Sequence, residues 1–205
     1  MSKLANLKTG AGLALATLAL AVALPAAAKG PKGPVPGKPG DQNIVEIAQA
    51  VNADSGEFSY LLAAATCEYF GTGVVDLLSG EDKLTLFAPT DEAFKKLQGE
   101  LALPIAPEST CALPQEVLFD VLAYHVTEGR RFSNSVFNRN AVKQIEMLNG
   151  QYVITNPGFT LTDIAGQEIS IVVDEDEAPV ANINASNGVI HVIDTVLLPF
   201  VPTTE

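Results

Sequence analysis

Only two histidines and two cysteines occur among the 205 residues. Neither cysteine lies in a CxxC or beside a histidine, so a closed zinc site of nitrogen and sulfur ligands cannot be assembled without carboxylates, and a cysteine nucleophile would lack a neighbouring base. A nucleophile elbow, a phosphate-cradling glycine-rich loop and a Ser-His-Asp constellation are also missing. Asp91, His125 and Asp194 could meet in space, but no motif-bearing nucleophile accompanies them. The sequence therefore reads as non-enzymatic, with no metal and no cofactor. Basic side chains are scarce too, 12 against 24 acidic ones. Setting aside Lys3 and Lys8 leaves 10 against 24, a net charge of −14, and setting aside the three further lysines before residue 41 leaves 7 against 24, near −17. Such a surface repels phosphate backbones and anionic bilayers, which excludes nucleic acid as a partner.

Long apolar runs are confined to the first 28 residues. Lys3 and Lys8 precede an apolar stretch from Ala11 to Leu24 that closes on Pro25-Ala26-Ala27-Ala28. The small residues Ala26 and Ala28 fit a signal peptidase, so residues 1–28 are expected to be a secretory signal peptide. The run is shorter than the roughly 20 residues a bilayer span requires. No second span follows, which places the chain in the secreted, extracellular or periplasmic class. Residues 30–40, GPKGPVPGKPG, hold four Pro and four Gly, and residues 29–42 read as a tether. In polyproline form those eleven residues would reach about 34 Å at roughly 3.1 Å each. The globular unit is expected over residues 43–200, with a short tail over 201–205.

Exported chains with two cysteines most often join them, and Cys67 with Cys111 is the pair available. Closing a loop of about 45 residues would stabilise the fold by roughly 4 kcal/mol in the chain-entropy picture.

From Asn43, a candidate cap, Ile44, Ile47, Ala48 and Val51 keep helical spacing. A second helix is expected to carry Phe58, Leu61, Leu62 and Ala65, with a short segment Val74–Leu78 after Gly71 and Gly73. Leu84-Thr85-Leu86-Phe87 reads as a buried strand, ended by Pro89-Thr90. Asp91-Glu92 then place negative charge in the first turn of a helix running to about Leu97. Residues 99–113 read as a loop pinned by the disulfide. A helix from Pro114 shows Val117, Val121, Leu122 and His125 on one face and ends by Gly129. After Asn134 the period changes to two. Asn149-Gly150 signals a tight hairpin, and strands are expected at Phe159–Asp163, Glu168–Asp174, Val180–Asn184 and Val189–Leu198, with turns at Ala165-Gly166 and Asn187-Gly188. Helices first and strands last, without an internal repeat, indicate an α+β fold.

Three segments resemble the fasciclin-like domain family in the family's order. Residues Leu84 to Phe94, with Phe87, Pro89, Thr90 and Asp91, are similar to its TxFAPTxxAF signature. Leu122-Ala123-Tyr124-His125-Val126 is similar to its tyrosine-histidine motif. Ala185 to Pro199, with Asn187, Gly188, His191 and Asp194, is similar to its closing strand. The resemblance spans residues 43–200 and implies a β-sandwich wedge flanked by helices, without enzymatic activity. It implies one connected helix-backed core containing Phe87, Tyr124 and Ile190.

In the family, Tyr124-His125 corresponds to a motif credited with adhesion. Asn182-Ile183 stands where integrin-binding relatives place Asp-Ile, so the carboxylate a metal-dependent integrin contact needs is missing, and no RGD occurs. Tyr124, His125, Asn182 and Ile183 are thus the candidate partner-binding residues. The competing reading turns His125 inward onto a buried group near Asp91, because an unpaired buried imidazole would be costly. His191, flanked by apolar residues, reads as a satisfied core histidine. Asp174-Glu175-Asp176-Glu177 reads as a solvated acidic loop, lacking the spaced oxygens and glycine of an EF-hand. Two functions remain open. One is an adhesion or interaction module for a cell-surface or matrix protein or polymer. The other is a carrier of an apolar small molecule such as a carotenoid, held in a groove between helices and sheet lined by Leu, Val and Phe.

Overall fold

The computed structural model describes residues 40–137, 141–174 and 178–201. The expected signal peptide, residues 29–39 of the tether and the tail 202–205 lie outside these, as do residues 175–177 of the acidic run.

The helical half forms close to where its spacing predicts, except in the helix after Pro114 and at Phe58, which precedes the second helix. Helix α1 (Ile44–Ser55) starts with a reciprocal capping box: Asn43 Oδ1 accepts from Glu46 N–H at 2.9 Å, and Glu46 Oε2 accepts from Asn43 N–H at 2.8 Å. Helices α2 (Ser59–Ala65) and α3 (Gly73–Ser79) follow, then strand β1 (Leu84–Pro89) and helix α4 (Asp91–Glu100). Thr90 caps α4, its hydroxyl accepting from Ala93 N–H at 3.2 Å. The expected loop after Gly99 contains a 3-10 turn, Pro107–Ala112. Gln98 pins its entry with a pair of bonds to the backbone of Ala106. Helix α5 (Gln115–Tyr124) buries Leu118, Val121, Leu122 and Tyr124 rather than the Val117 side, and it ends at Tyr124. The chain then enters strand β2 (Val126–Glu128), where continued helix was expected up to Gly129.

Cys67 and Cys111 form the expected disulfide, with Cα atoms 5.6 Å apart, tying the end of α2 to the 3-10 turn. Denatured but unreduced protein is expected to take up no thiol reagent. Labelling of two thiols per chain would remove the bridge from the account.

Among the described residues the strands make two four-stranded sheets. The first has the order β2-β1-β8-β7, with β7 at Ile183–Ala185 and β8 at Gly188–Ile193; the second has the order β3-β4-β5-β6, at Lys143–Glu146, Tyr152–Asn156, Thr160–Thr162 and Glu168–Ser170. A one-turn helix α6 (Ser133–Val136) precedes the second sheet. The antiparallel β3–β4 hairpin turns at Leu148–Gly150, one residue longer than a two-residue loop: Gly150 N–H donates to Met147 O at 2.9 Å, and Gly150 alone of the loop takes positive φ, +80°. The last strands are shorter than expected. Asn182 sits at φ +60°, which delays β7 to Ile183, and β6 stops at Ser170.

Strand β1 lies parallel to β8, Leu84 opposite Gly188 through Pro89 opposite Ile193, and antiparallel to β2. Every residue of β1 and β8 is buried, because the first sheet is covered on both faces, by helices on one side and the second sheet on the other. The interior is accordingly two cores sharing these strands. Leu84, Leu86, Ala88, Ile190 and Val192 face the helices, whereas Phe87, Ile193 and, from α5, Tyr124 pack between the sheets with Val153, Leu161 and Ile169. Phe87 and Tyr124 thus occupy one core and Ile190 the other, joined through β8. A bridge between Ile171 and Ile193 and a bond from Leu148 N–H to Val126 O (2.8 Å) close the sheets into a wedge. Gly40 and Gln42, read as tether, also pair with the backbone of Asn184 and Ser186 beside β7.

Candidate functional site: motif residues and an apolar cavity

Asp91 lies at the first position of α4 and is 8% exposed. Helix α2 begins after Phe58, which is left-handed (φ 67°) and offers no capping side chain. Asp91 supplies that cap from a distance, accepting from Ser59 Oγ–H and from Tyr60 N–H at 3.2 Å, while its own N–H donates to Glu57 Oε2 at 3.2 Å. One carboxylate, in the first turn of α4, therefore caps the positive start of α2. Asp91 does not reach His125, and the partner expected near Asp91 is instead the backbone of Leu197.

His125 is buried, and its two nitrogens are both used. Leu197 N–H donates to Nε2 at 2.9 Å, so Nε2 is unprotonated and Nδ1–H donates to Val121 O at 2.7 Å. Tyr124 is buried as well; its hydroxyl donates to Tyr152 O at 2.9 Å and accepts from Ile164 N–H at 3.2 Å. Desolvation pushes the phenol up to about 12, helped by the nearby Asp163 charge and opposed by the Ile164 bond. The adhesion reading of Tyr124 and His125 requires accessible rings, and the fold gives both to the interior, at 0% and 1% exposure.

Ile183 is likewise drawn inward, and Asn182, half-buried beside it, is held by Ser133. Asn182 Oδ1 accepts from Ser133 N–H (2.6 Å) and its amide donates to Ser133 Oγ (2.8 Å), holding the start of α6, while Ile183 is buried. His191 accepts from Asn182 N–H at Nδ1 (3.3 Å) and donates from Nε2 to Arg131 O (2.8 Å), with its ring stacked on Phe87 at 5.5 Å. This is the satisfied core histidine expected. Pro89 closes β1. Asp194, exposed, accepts from Ser170 N–H at 2.9 Å and joins the two sheets.

Asn187, expected in a turn, also ties the helices to the sheet. Its Oδ1 accepts from Ile44 N–H at 3.0 Å, its Nδ2 donates to Leu78 O (2.8 Å) and Gly80 O (2.9 Å), and its carbonyl accepts from Leu84 N–H at 3.0 Å. The turn is Ser186-Asn187, and Gly188 already belongs to β8. Asp163 is a residue sequence reasoning missed: its carboxylate accepts from Gln167 N–H, Gln167 Nε2–H and Leu198 N–H, anchoring the chain end. The only signal for it was its place just before the Ala165-Gly166 turn.

Burial lowers both histidines to about 4, desolvation outweighing the bond each makes to a backbone carbonyl. An unfolded histidine titrates near 6.5, so between about pH 6.5 and 4 the unfolded chain binds more protons than the native one and stability falls as pH falls. With two such groups the slope approaches about 3 kcal/mol per pH unit. Urea midpoints are expected to drop steadily from pH 7 to 4.5, and midpoints that stay level over that range would contradict neutral burial of the two rings.

Two surface features lie beside these residues. An apolar cavity of about 240 Å³ opens between α2, α3, α5, β1 and β2, lined by Leu61, Val74, Leu78, Leu86, Phe119 and Leu122 among others, with His125 and Leu148 also contributing. Adjacent to it, a shallow depression is formed by Glu116, Val117, Phe119, Asp120 and Phe200, where Phe119 and Phe200 are 52% and 38% exposed.

A two-sheet wedge with helices covering one sheet defines the class of domain. The profile of the fasciclin domain matches residues 58–199, and the chain belongs to the fasciclin family. It is similar to protein sll1483 of Synechocystis, with 31% identity over 165 residues, covering 76% of this chain and 73% of that protein. It is similar also to immunogenic protein MPB70 of Mycobacterium bovis, with 27% identity over 203 residues, covering 92% and 93%. Among solved structures it resembles the FAS1 domain pair of the insect cell adhesion molecule fasciclin I, with a TM-score of 0.50 and 16% identity, covering 77% of this chain and about half (51%) of the pair.

Proposed function

We propose that this chain is an exported, non-enzymatic interaction module that binds a cell-surface or matrix protein or polymer through its outer surface. The observation that carries the reading is the depression at α5, where Phe119 and Phe200 stand exposed beside Glu116 and Asp120, an apolar centre with an acidic edge. Aromatic side chains held at a surface are the usual anchors of protein contacts. Membership of a family that includes an adhesion molecule supports the reading, as does the signal peptide expected over residues 1–28. The test is retention of the chain on envelope material from its native host. Phe200→Ser is expected to lower retention several-fold at an unchanged melting temperature, and undiminished retention would remove the depression from the contact.

A second reading, carriage of an apolar small molecule, is favoured by the 240 Å³ cavity. Protein purified from its native host with a bound pigment or lipid would support it, and apolar-free protein would weigh against it.

A further inference from the structure

The geometry points to a ligand for that cavity: an apolar group of about ten carbons, the alkyl portion of an uncharged or cationic molecule whose head remains at the mouth between α3 and α5. The inference rests on the carrier reading and narrows it. An apolar cavity of about 150 Å³ holds one benzene ring, which scales to roughly ten carbons here. A carotenoid, with about four times that number, would have to leave most of its length outside.

The lining decides what enters. It consists of aliphatic and aromatic side chains with a single polar residue, His125, whose nitrogens are both engaged by Val121 O and Leu197 N–H. Among the described residues no buried side-chain nitrogen or oxygen lacks a partner, so the side chains lining the cavity have no free hydrogen bond to offer. A hydroxyl, carboxyl or amide pushed inside would lose its water without compensation. Burying alkyl carbons, by contrast, is favourable at about 0.8 kcal/mol per CH₂.

The mouth decides the head. Leu77 on α3 and Phe119 on α5 are 39% and 52% exposed beside the opening. Those two helices carry Asp76, Glu116 and Asp120 and no basic residue, on a chain with net charge −12. A carboxylate head would meet like charge, whereas a hydroxyl or an ammonium would not.

Methyl carbon–proton NMR of the full chain tests this with 1-decanol, decanoate, decyltrimethylammonium and β-carotene as probes. 1-Decanol and decyltrimethylammonium are expected to shift the methyls of Leu61, Val74, Leu78, Leu86 and Leu122 saturably at one equivalent, leaving Val153 and Ile169 unmoved. Decanoate is expected to bind about tenfold more weakly at low salt, with the gap closing at high salt. Ala123→Phe, which fills the cavity from α5, is expected to weaken decanol at least tenfold with Val153 and Ile169 signals unchanged. Phe119→Ala, at the exposed rim, is expected to weaken it a few-fold. Failure of decanol to shift these methyls up to its solubility limit would overturn the inference, as would undiminished binding by Ala123→Phe. Equal affinity for decanoate would overturn the assignment of the head. If β-carotene moves the cavity methyls and decanol does not, the carrier reading stands and the size inference falls; if neither does, both fall.

Discussion

Replacing Gly188 by alanine is expected to prevent stable folding or to lower stability by more than about 4 kcal/mol, the largest single effect in this chain. A Cβ at this position would stand 2.4 Å from Leu84 O and 2.7 Å from Ile44 Cδ1. The isoleucine could turn aside. Leu84 O cannot, since Leu84 is paired with Gly188 in the parallel β1–β8 register and its N–H is bonded to Asn187 O. Relief would require separating the two strands that both cores share. Gly188 is thus needed for close approach of two backbones. Thermal unfolding followed by circular dichroism gives the answer, and an alanine variant melting within a few degrees of wild type would show that the strands are not so closely held.

Asn187→Ala is expected to cost about 4 kcal/mol, from two buried backbone groups and one half-buried one left without a partner. Ile44 N–H, at the first turn of α1, and the carbonyls of Leu78 and Gly80, at the end of α3, all depend on one amide. For a chain this size, that corresponds to a melting temperature lower by roughly 10 °C. Asn187→Asp is expected to be no better. It keeps the acceptor for Ile44 but aims a carboxylate at two carbonyl oxygens. An aspartate variant as stable as wild type would mean that the donor half of the amide contributes nothing.

Features written in contiguous residues were legible from the sequence: the cap at Asn43, the buried run Leu84–Phe87, the acidic first turn of α4 at Asp91-Glu92, the hairpin at Asn149-Gly150; the return bond from Glu46 and the Thr90 cap were not. The disulfide pair was legible because there was no alternative pairing. What escaped depends on contacts between distant segments. Nothing local to Leu84 announces that it will lie parallel to Gly188, a hundred residues on. Val126–Glu128 is too short and too close to a helix to show a period of two. His125 showed by its helical face that it turns inward, but its acceptor nitrogen meets Leu197, which only the folded chain brings near. The same applies to the motif residues as a group. Tyr124, His125, Asn182 and Ile183 carry a recognisable pattern, and the pattern does not reveal whether they face a partner or the core. Burial of Tyr124, His125 and Ile183, and the bonds between Asn182 and Ser133, place them as fixtures of the wedge. A groove between helices and sheet lined by Leu, Val and Phe was expected, but which residues line the cavity, and the depression at Phe200, depend on side chains from several elements, none of which stands out in the sequence.

The division of labour between core and surface is tested most directly by measuring melting temperature and envelope retention together for Tyr124→Phe and Phe200→Ser. Tyr124→Phe strips the hydroxyl from Tyr152 O and Ile164 N–H, and is predicted to lower stability by about 2 kcal/mol while retention, measured well below its melting point, stays at the wild-type level. Phe200→Ser is predicted to do the reverse. Lost retention in a folded, fully stable Tyr124→Phe variant, with Phe200→Ser still bound, would contradict the account.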